Sequence, residues 1–538
     1  MKRRIVILLA VLLPLTLTAQ SKSFNIGKWT EVFNSIVKEL NRSYVDTLPL
    51  DRMYRAGVNA MLEELDPYTV YIPVEEDEDL QMLVNKSYGG IGAVIYKPDK
   101  ESFVKINEPY ENSPAALAGL RCGDEIMAID GQTTVGLTAS EASSRMKGKP
   151  GTEVKFHVRK VYTGEEVDVK IVRRSIHFPD IEYSGILEDG KTGYIYQSGF
   201  TEGVGDEIRS IVKDFKSKGV TRIILDLRGN GGGLLQEAVN IVSVFVPKGS
   251  VVVSSKGNGT TADMVYSTEK EPLDTEIPLT VLVDSGSASA SEIVSGALQD
   301  YDRAVIMGRR TYGKGLVQVI RPLPYNGKLK ITTSKYYTPS GRCVQAIDYS
   351  HRNEDGSVGS IPDSLTHEFK TAGGRIVKDG GGITPDNELA LKDYSRLTYS
   401  LVMNGVVDQY ALKYVSEHKD APALEDFHFT DYEDFIEYAK TQKFDYRSGA
   451  RAYYDKMREE LRRDKLEDGM KETLDALQKA LEMEKEEFLR LKKDEIIPFI
   501  EEEIAVRYYF QRAGVQVRLR YDDQLKQALQ ILDSQKTR

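Results

Sequence analysis

The sequence predicts a multidomain α+β protein: helices at the amino end, a small strand-rich domain, a larger domain of alternating strands and helices, and a helical carboxyl-terminal extension. Three observations predict it. The chain has 538 residues, whereas a single hydrophobic core stops growing at about 250–300. Between residues 175 and 390, β-branched runs alternate with amphipathic helical stretches, the pattern of a parallel or mixed sheet. Outside that region, helical spacing dominates from Phe24 and again beyond residue 391. Composition is ordinary for globular domains, with 41% hydrophobic and 29% charged residues. The net charge of −10 argues against a nucleic-acid partner.

Residues 1–19 carry the signs of an export signal: Met-Lys-Arg-Arg, an apolar run from Ile5 to Leu17, then Thr18-Ala19. The run is short for a bilayer span, so an exported, periplasmic protein is expected, with an uncleaved membrane anchor as the lesser alternative. The two cysteines, Cys122 and Cys343, exclude a disulfide framework. Six histidines are scattered, and His367-Glu368 fails to continue as H-E-x-x-H because position 371 is Thr371. No metal or other cofactor is implied.

Residues 24–85 read as a helical segment. Trp29, Val32, Phe33, Ile36, Val37 and Leu40 fall at helical spacing, and a second helix from about Leu50 to Leu65 stops at Asp66-Pro67. Residues 86–174 follow as a separate domain. Tyr88-Gly89-Gly90-Ile91-Gly92-Ala93 leads into a strand, Ser113 to Asp124 supplies a short helix and turn, and strands near Ile126–Ile129 and Val154–Val161 flank a helix near Thr138–Met146. This order of motifs resembles a PDZ domain. The resemblance makes Gly90, Ile91, Gly92 and Ala93 the loop whose amides hold a peptide's C-terminal carboxylate. The chemistry agrees, because glycines free successive N–H groups to form an anion-binding nest while the peptide adds as a strand.

Residues 175–390 form the predicted core. Gly193–Gln197 and Thr221–Leu227 read as strands separated by a helix from Glu202 to Lys216. Asp226-Leu227-Arg228 then opens a glycine loop, Gly229-Asn230-Gly231-Gly232-Gly233, before a helix to about Val246. The dinucleotide pattern G-x-G-x-x-G fails at Leu234.

The stretch from Pro278 to Gln318 carries the chemistry. An apolar run, Leu279–Val283, turns through Asp284-Ser285-Gly286 into a helix from about Ser289. A strand–turn–helix exposes a hydroxyl next to the unpaired N–H groups of the first helical turn, which suits a serine nucleophile and its oxyanion. Serine needs a base, and Lys314, in a Gly-Lys-Gly turn, can serve if it is neutral. Spacing alone does not choose among Ser285, Ser287, Ser289 and Ser291. Gly308 to Gly315 nearly spells a phosphate-binding loop, but Gly315 replaces its hydroxyl residue and Leu316–Ile320 reads as a strand where that loop demands a helix.

The run Ser287-Ala288-Ser289-Ala290-Ser291-Glu292, followed by Gly313-Lys314-Gly315, resembles the carboxyl-terminal processing peptidases, also called tail-specific proteases. That resemblance spans roughly residues 30 to 390. It implies Ser289 as nucleophile, Lys314 as general base and Gln318 as the residue that orients the lysine. It also implies an oxyanion hole from the amides of Gly232 and Ala290, with Gly231 standing where the family commonly has proline. Asp300 matches an Asp to which some members assign a supporting role. Substrates would be proteins or peptides with free apolar C-termini.

Residues 391–538 lie outside the resemblance. Rich in Glu, Lys, Arg, Leu and Tyr, they read as a helical domain with a solvated charged face, able to pack on the core, mediate oligomers or form part of a substrate cage; an adaptor and a homo-oligomer are possible partners of the protein. Two other functions stay open at this stage. One is a non-catalytic PDZ scaffold; the other is a nucleotide-binding protein built on Gly308 to Gly315.

Overall fold

The computed structural model describes residues 24–76, 86–258, 262–445, 448–481 and 484–535. Residues 1–19, read as an export signal, lie outside the described residues. No described helix is long and apolar enough to cross a membrane. The chain divides into two units, residues 1–71 and 72–538.

The first unit holds a helix over 24–43 and a second, Leu50–Glu63. Phe33 of one meets Tyr54 of the other edge to face, with ring centres 6.2 Å apart. Past the Asp66-Pro67 stop the chain leaves the α-helical pattern that the sequence suggested, with only a 3₁₀ turn at Val74–Glu76. Val70–Ile72 is a strand, consistent with its β-branched residues. Residues 77–85, the end of the expected helical segment, lie outside the described residues.

In the second unit, residues 93–172 form an antiparallel sheet in the order Ala93–Tyr96, Val104–Pro109, Glu125–Ile129, Glu153–Arg159, Glu166–Val172. Helices Pro114–Leu117 and Ala139–Met146 pack with it, the latter opened by a capping box between Thr138 and Glu141. A ribbon of Ser87–Gly90 against Arg174–His177 ties the two ends of this domain together.

The larger domain is built on a six-stranded sheet in the order Ile181–Ile186, Thr192–Gln197, Arg222–Asp226, Leu279–Val283, Val305–Gly308, Asn387–Glu388. Only the first pair is antiparallel. Because successive parallel strands are added in one direction, right-handed crossovers place Val204–Ser217, Leu235–Phe245 and Ala290–Asp300 on the same face. Side chains alternate across the strands accordingly. Ile223, Leu225, Val281 and Val283 enter the core under these helices, while Ile224, Leu282 and Met307 point the other way.

That second apolar face needs its own cover, and the chain's last helix, Asp523–Gln535, supplies it. Leu525, Ala528 and Leu532 pack on Tyr194, Ile224, Leu282 and Met307. Arg222, buried to 1% exposure, reaches Asp533 on the same helix at 2.8 Å and Asp189 at 2.8 Å. The carboxyl-terminal region is helical as expected. Its core joins Leu397, Tyr410, Phe435 and Leu489 to Ile496, Ile500 and Ile504 of the long helix Lys493–Arg520.

An antiparallel ribbon completes the domain, with Lys328–Tyr337 pairing on one side with Leu316–Pro322 and on the other with Val251–Gly257. It carries the segment after Lys314, and the Tyr336 hydroxyl on it donates to the Ser289 carbonyl at 3.2 Å.

Candidate active site

The turn after Leu279–Val283 sorts the four serines by environment. Ser287 is fully buried, its Oγ donating to the Leu227 carbonyl at 2.8 Å. Ser291 is also fully buried, its Oγ donating to the Asn230 carbonyl at 2.9 Å. Both pin the turn to the glycine loop. Ser285 is exposed on the turn. Ser289 is half-buried at the N-cap of Ala290–Asp300, with φ 56° and ψ −111°. A non-glycine residue at positive φ is held there against its preference, which suits a side chain aimed by a sharp turn.

The glycine loop lies directly against this point. A Cβ placed on Gly232, whose φ is +97°, would stand 2.7 Å from the Ala288 carbonyl oxygen, 2.9 Å from the Ala290 nitrogen and 2.9 Å from the Ser289 Cβ. Gly232 and Ala290 are therefore brought together beside Ser289. The Gly232 N–H, however, donates to Asn230 Oδ1 at 2.9 Å, closing a turn within the loop. Asn230 is itself fully buried, and its carbonyl also accepts from the Ala288 N–H.

Lys314 sits half-buried in its Gly-Lys-Gly turn, and one carboxylate holds it to the serine. Glu292, fully buried, accepts from the Ser289 N–H at 2.9 Å, the Lys314 N–H at 2.9 Å, the Gly313 N–H at 2.7 Å and Thr311 Oγ1 at 2.6 Å. Burial raises its pKa, and the donors oppose that rise. Sequence reasoning quoted Glu292 without giving it a role, although Ser289-x-x-Glu292 has the spacing of a helix capping box. The same contacts dispose of the phosphate loop, because Glu292 already fills the Gly313 and Lys314 amides and Leu316–Pro322 is a strand.

Gln318 lies on that strand, just past a bulge, and its amide donates to Thr332 Oγ1 at 3.1 Å. Asp300, at the far end of the serine's helix, accepts from the Ser340 N–H at 2.9 Å and pairs with buried Arg342 at 2.8 Å. These contacts are structural and remote from Ser289.

Also unnoticed in the sequence was the fastening of the glycine loop. Asp226, 1% exposed, accepts from the Tyr194 hydroxyl at 2.6 Å and from the Arg228 backbone N–H at 2.9 Å. Arg228 bridges Asp226 to Asp522 and donates to Gln524 at 3.0 Å, so the carboxyl-terminal helices brace the loop.

In the strand-rich domain, Gly90 pairs with Arg174, and the Ile91 carbonyl accepts from the Ala115 N–H at 2.8 Å. Gly92 has φ +75°, with its carbonyl taking the Tyr110 N–H at 3.0 Å, and Ala93 begins the first strand of the sheet. Loop amides thus lie at the start of that strand, as a carboxylate nest requires.

Three family profiles match the chain: Peptidase family S41 over residues 191–350, PDZ domain over 105–160, and "Probable PDZ-protease, C-terminal helical domain" over 397–532. A carboxy-terminal-processing protease of Bartonella bacilliformis is 37% identical over 320 residues, covering 59% of this chain and 72% of that protein. The chain belongs to the carboxy-terminal-processing protease family. It is a serine-type protease with a PDZ domain. A second carboxy-terminal-processing relative, a "Probable CtpA-like serine protease" of Staphylococcus aureus, is 36% identical over 313 residues, 58% of this chain and 61% of its own length. Among solved structures, a photosystem II D1 C-terminal processing protease aligns at 23% identity and a TM-score of 0.36, over 65% of this chain and 90% of that one. The match over 397–532 extends the likeness, to a probable PDZ-protease helical domain, into the region that the sequence motifs left outside the resemblance.

Proposed function

We propose that this protein is an exported endopeptidase in which Ser289 attacks a peptide carbonyl with Lys314 as general base, acting on chains whose free apolar C-termini the PDZ domain holds. The observation that carries this reading is the convergence on one point of Ser289, Gly232 and Ala290, with Glu292 joining the Ser289 and Lys314 backbones. Of the four serines, Ser287 and Ser291 are committed to packing.

In the first step neutral Lys314 takes the Ser289 hydroxyl proton as Oγ bonds to the carbonyl carbon. The oxyanion so formed is held by the N–H groups of Ala290 and Gly232, the latter shared with Asn230. Collapse breaks the C–N bond, and the lysine ammonium returns its proton to the departing amine. Water then attacks the acyl-enzyme, giving a proton to Lys314, and as the bond from the acyl carbon to Oγ breaks the lysine ammonium returns that proton to Ser289 and the acid product leaves. Gln318 orients the lysine from the neighbouring strand. Gly90, Ile91, Gly92 and Ala93 supply the amides for the substrate carboxylate. Because a protonated lysine cannot accept the serine proton, the rate rises with pH between 5 and 9.

The test uses the chain from Gln20 onward with an unstructured protein ending in apolar residues. Cleavage by the wild type, lost in Ser289→Ala and in Lys314→Ala and weakened when the substrate's C-terminus is amidated, is the expected result. Cleavage that survives Ser289→Ala sinks the assignment of the nucleophile, and a rate flat across that pH range sinks the role of Lys314.

A further inference from the structure

Glu292 holds the serine and the lysine by their N–H groups. Carbonyls of the same two turns are held by another residue, Tyr336, on the central ribbon strand Lys328–Tyr337. Its hydroxyl donates to the Ser289 carbonyl at 3.2 Å, and its backbone N–H donates to the carbonyl of Gly315, the residue after Lys314, at 3.0 Å. Tyr336 is fully buried, and burial lifts its hydroxyl pKa well above the ordinary value. The hydroxyl therefore stays a neutral donor throughout the working pH range.

The Ser289 carbonyl matters because of what shares its peptide plane. A peptide unit is planar and trans, so its C=O and its N–H point in opposite directions and turn as one body. The N–H opposite the Ser289 carbonyl belongs to Ala290, a donor assigned above to the oxyanion. As the first residue of its helix, Ala290 has no intrahelical partner for that N–H. The orientation of the plane is set by the Ser289 ψ of −111°, in a residue whose φ is 56°. Such a backbone persists only where its surroundings over-determine it. Glu292 fixes the plane before Ser289 through the Ser289 N–H. The plane after it is tied at its carbonyl by the helix's own Glu292 and Ile293 N–H groups, at 2.9 and 3.0 Å. Tyr336 adds a tie from a separate element, the ribbon that continues from the lysine turn.

We propose that Tyr336 is a positioning residue for the oxyanion hole: by holding the Ser289 carbonyl it aims the Ala290 N–H at the developing oxyanion, and by holding the Gly315 carbonyl it sets that N–H in register with Lys314. It acts through the peptide unit and not on the substrate. Hydrogen bonds at the two ends of one amide polarise it in the same sense, so each strengthens the other. As the oxyanion draws on the Ala290 N–H, the Ser289 carbonyl becomes a better acceptor for the Tyr336 hydroxyl. The tie is thus strongest in the transition state, and its contribution falls on kcat and not on substrate binding.

This inference rests on the Ser289 and Lys314 reading above, and the experiment separates the two. Tyr336→Phe keeps the ring and removes the hydroxyl. It is compared with the wild-type chain in peptide cleavage and in binding of a peptide aldehyde. The aldehyde reproduces the first step: Ser289 Oγ bonds to the carbonyl carbon, the hydroxyl proton passes to Lys314, and the carbonyl π pair becomes the oxyanion. The expected result is a fall in kcat of about tenfold, the order of one net hydrogen bond, with KM within about twofold. Aldehyde affinity falls by the same factor, and the pH–rate profile keeps its shape. A merely structural role would lower Tm without weakening the aldehyde per folded molecule. An unchanged kcat, a fall in kcat with undiminished aldehyde affinity, or a shifted pH profile overturns the proposal. Aldehyde binding that survives Ser289→Ala sinks the Ser289 reading instead. A second measurement keeps the hydroxyl and does not depend on the stability of Tyr336→Phe. With 3-fluorotyrosine at position 336, the fluorine resonance is expected to move when the aldehyde adds to Ser289; a resonance unmoved by the adduct overturns the proposal.

Discussion

The buried carboxylate of Glu292 accepts the backbone N–H of Lys314 at 2.9 Å across a separation of 22 residues, while its own helix begins at Ser289. Serine and lysine are thereby held to one rigid acceptor. Positioning of this kind contributes to catalysis by fixing the approach geometry in advance. Glu292→Gln keeps the shape but turns one acceptor oxygen into a donor facing N–H groups. Peptide cleavage is expected to fall about 100-fold or more, with near-native circular dichroism. Wild-type turnover in this variant would remove Glu292 from the machinery.

Gly232 has φ +97°, and no Cβ fits between it, the Ala288 carbonyl and Ser289. Gly232→Ala is therefore expected to push the glycine loop off Ser289 and, on the proposed mechanism, to lose about 10²–10³-fold in kcat, the cost typical of an oxyanion donor. Steady-state kinetics would show the loss in kcat more than in KM. A selective rise in KM would place Gly232 in substrate binding instead.

Asp300 is expected to matter for stability only. It and Arg342 are each about 1% exposed as side chains and 2.8 Å apart. Removing one partner leaves a buried charge uncompensated, so Asp300→Ala should cost about 3–5 kcal/mol in denaturant unfolding. Turnover per folded molecule, measured well below Tm, should stay within about threefold of wild type. A large loss of turnover without loss of stability would reinstate a catalytic role.

Glu108 gives the protein a pH-dependent stability. Burial pushes its carboxyl up to about 7, against the opposing Gln511 hydrogen bond and Arg507 charge and with help from Glu503 and Asp408. Burial likewise pushes Glu502 up to about 7. Between the ordinary carboxyl value and 7 the native state holds protons that the unfolded chain has released. Stability therefore falls as pH rises through that window, and the cost is complete above it. Glu108→Gln should flatten this part of the Tm-against-pH curve and stabilise the protein at pH 8 by roughly 1–3 kcal/mol. An unchanged slope would mean that Glu108 ionises without penalty.

Much of this was legible in the sequence because it is local. Leu279–Val283 reads as a strand from its β-branched run and is one, and Ala290–Asp300 follows as a helix. The glycines at 90 and 92 were read as freeing backbone amides, and Gly92 has φ +75°. Motif order alone placed the PDZ and protease regions. The helical extension was read as helical from periodicity, but its partner was not legible, since an amphipathic stripe states that a face is buried and not against what. The structure packs Asp523–Gln535 on the second face of the sheet.

What only the tertiary structure decided is which polar groups share an acceptor. Ser287, Ser289 and Ser291 are near-equivalent in sequence, yet two become packing pins because Leu227 and Asn230 carbonyls from another strand end arrive beside them. Glu292 gathers donors from a loop some twenty residues on. Periodicity and turn chemistry act through neighbours along the chain, so the sequence determined the elements and their order. Burial and hydrogen-bond partnership depend on segments brought together through space, so the fold alone determined what each polar side chain does.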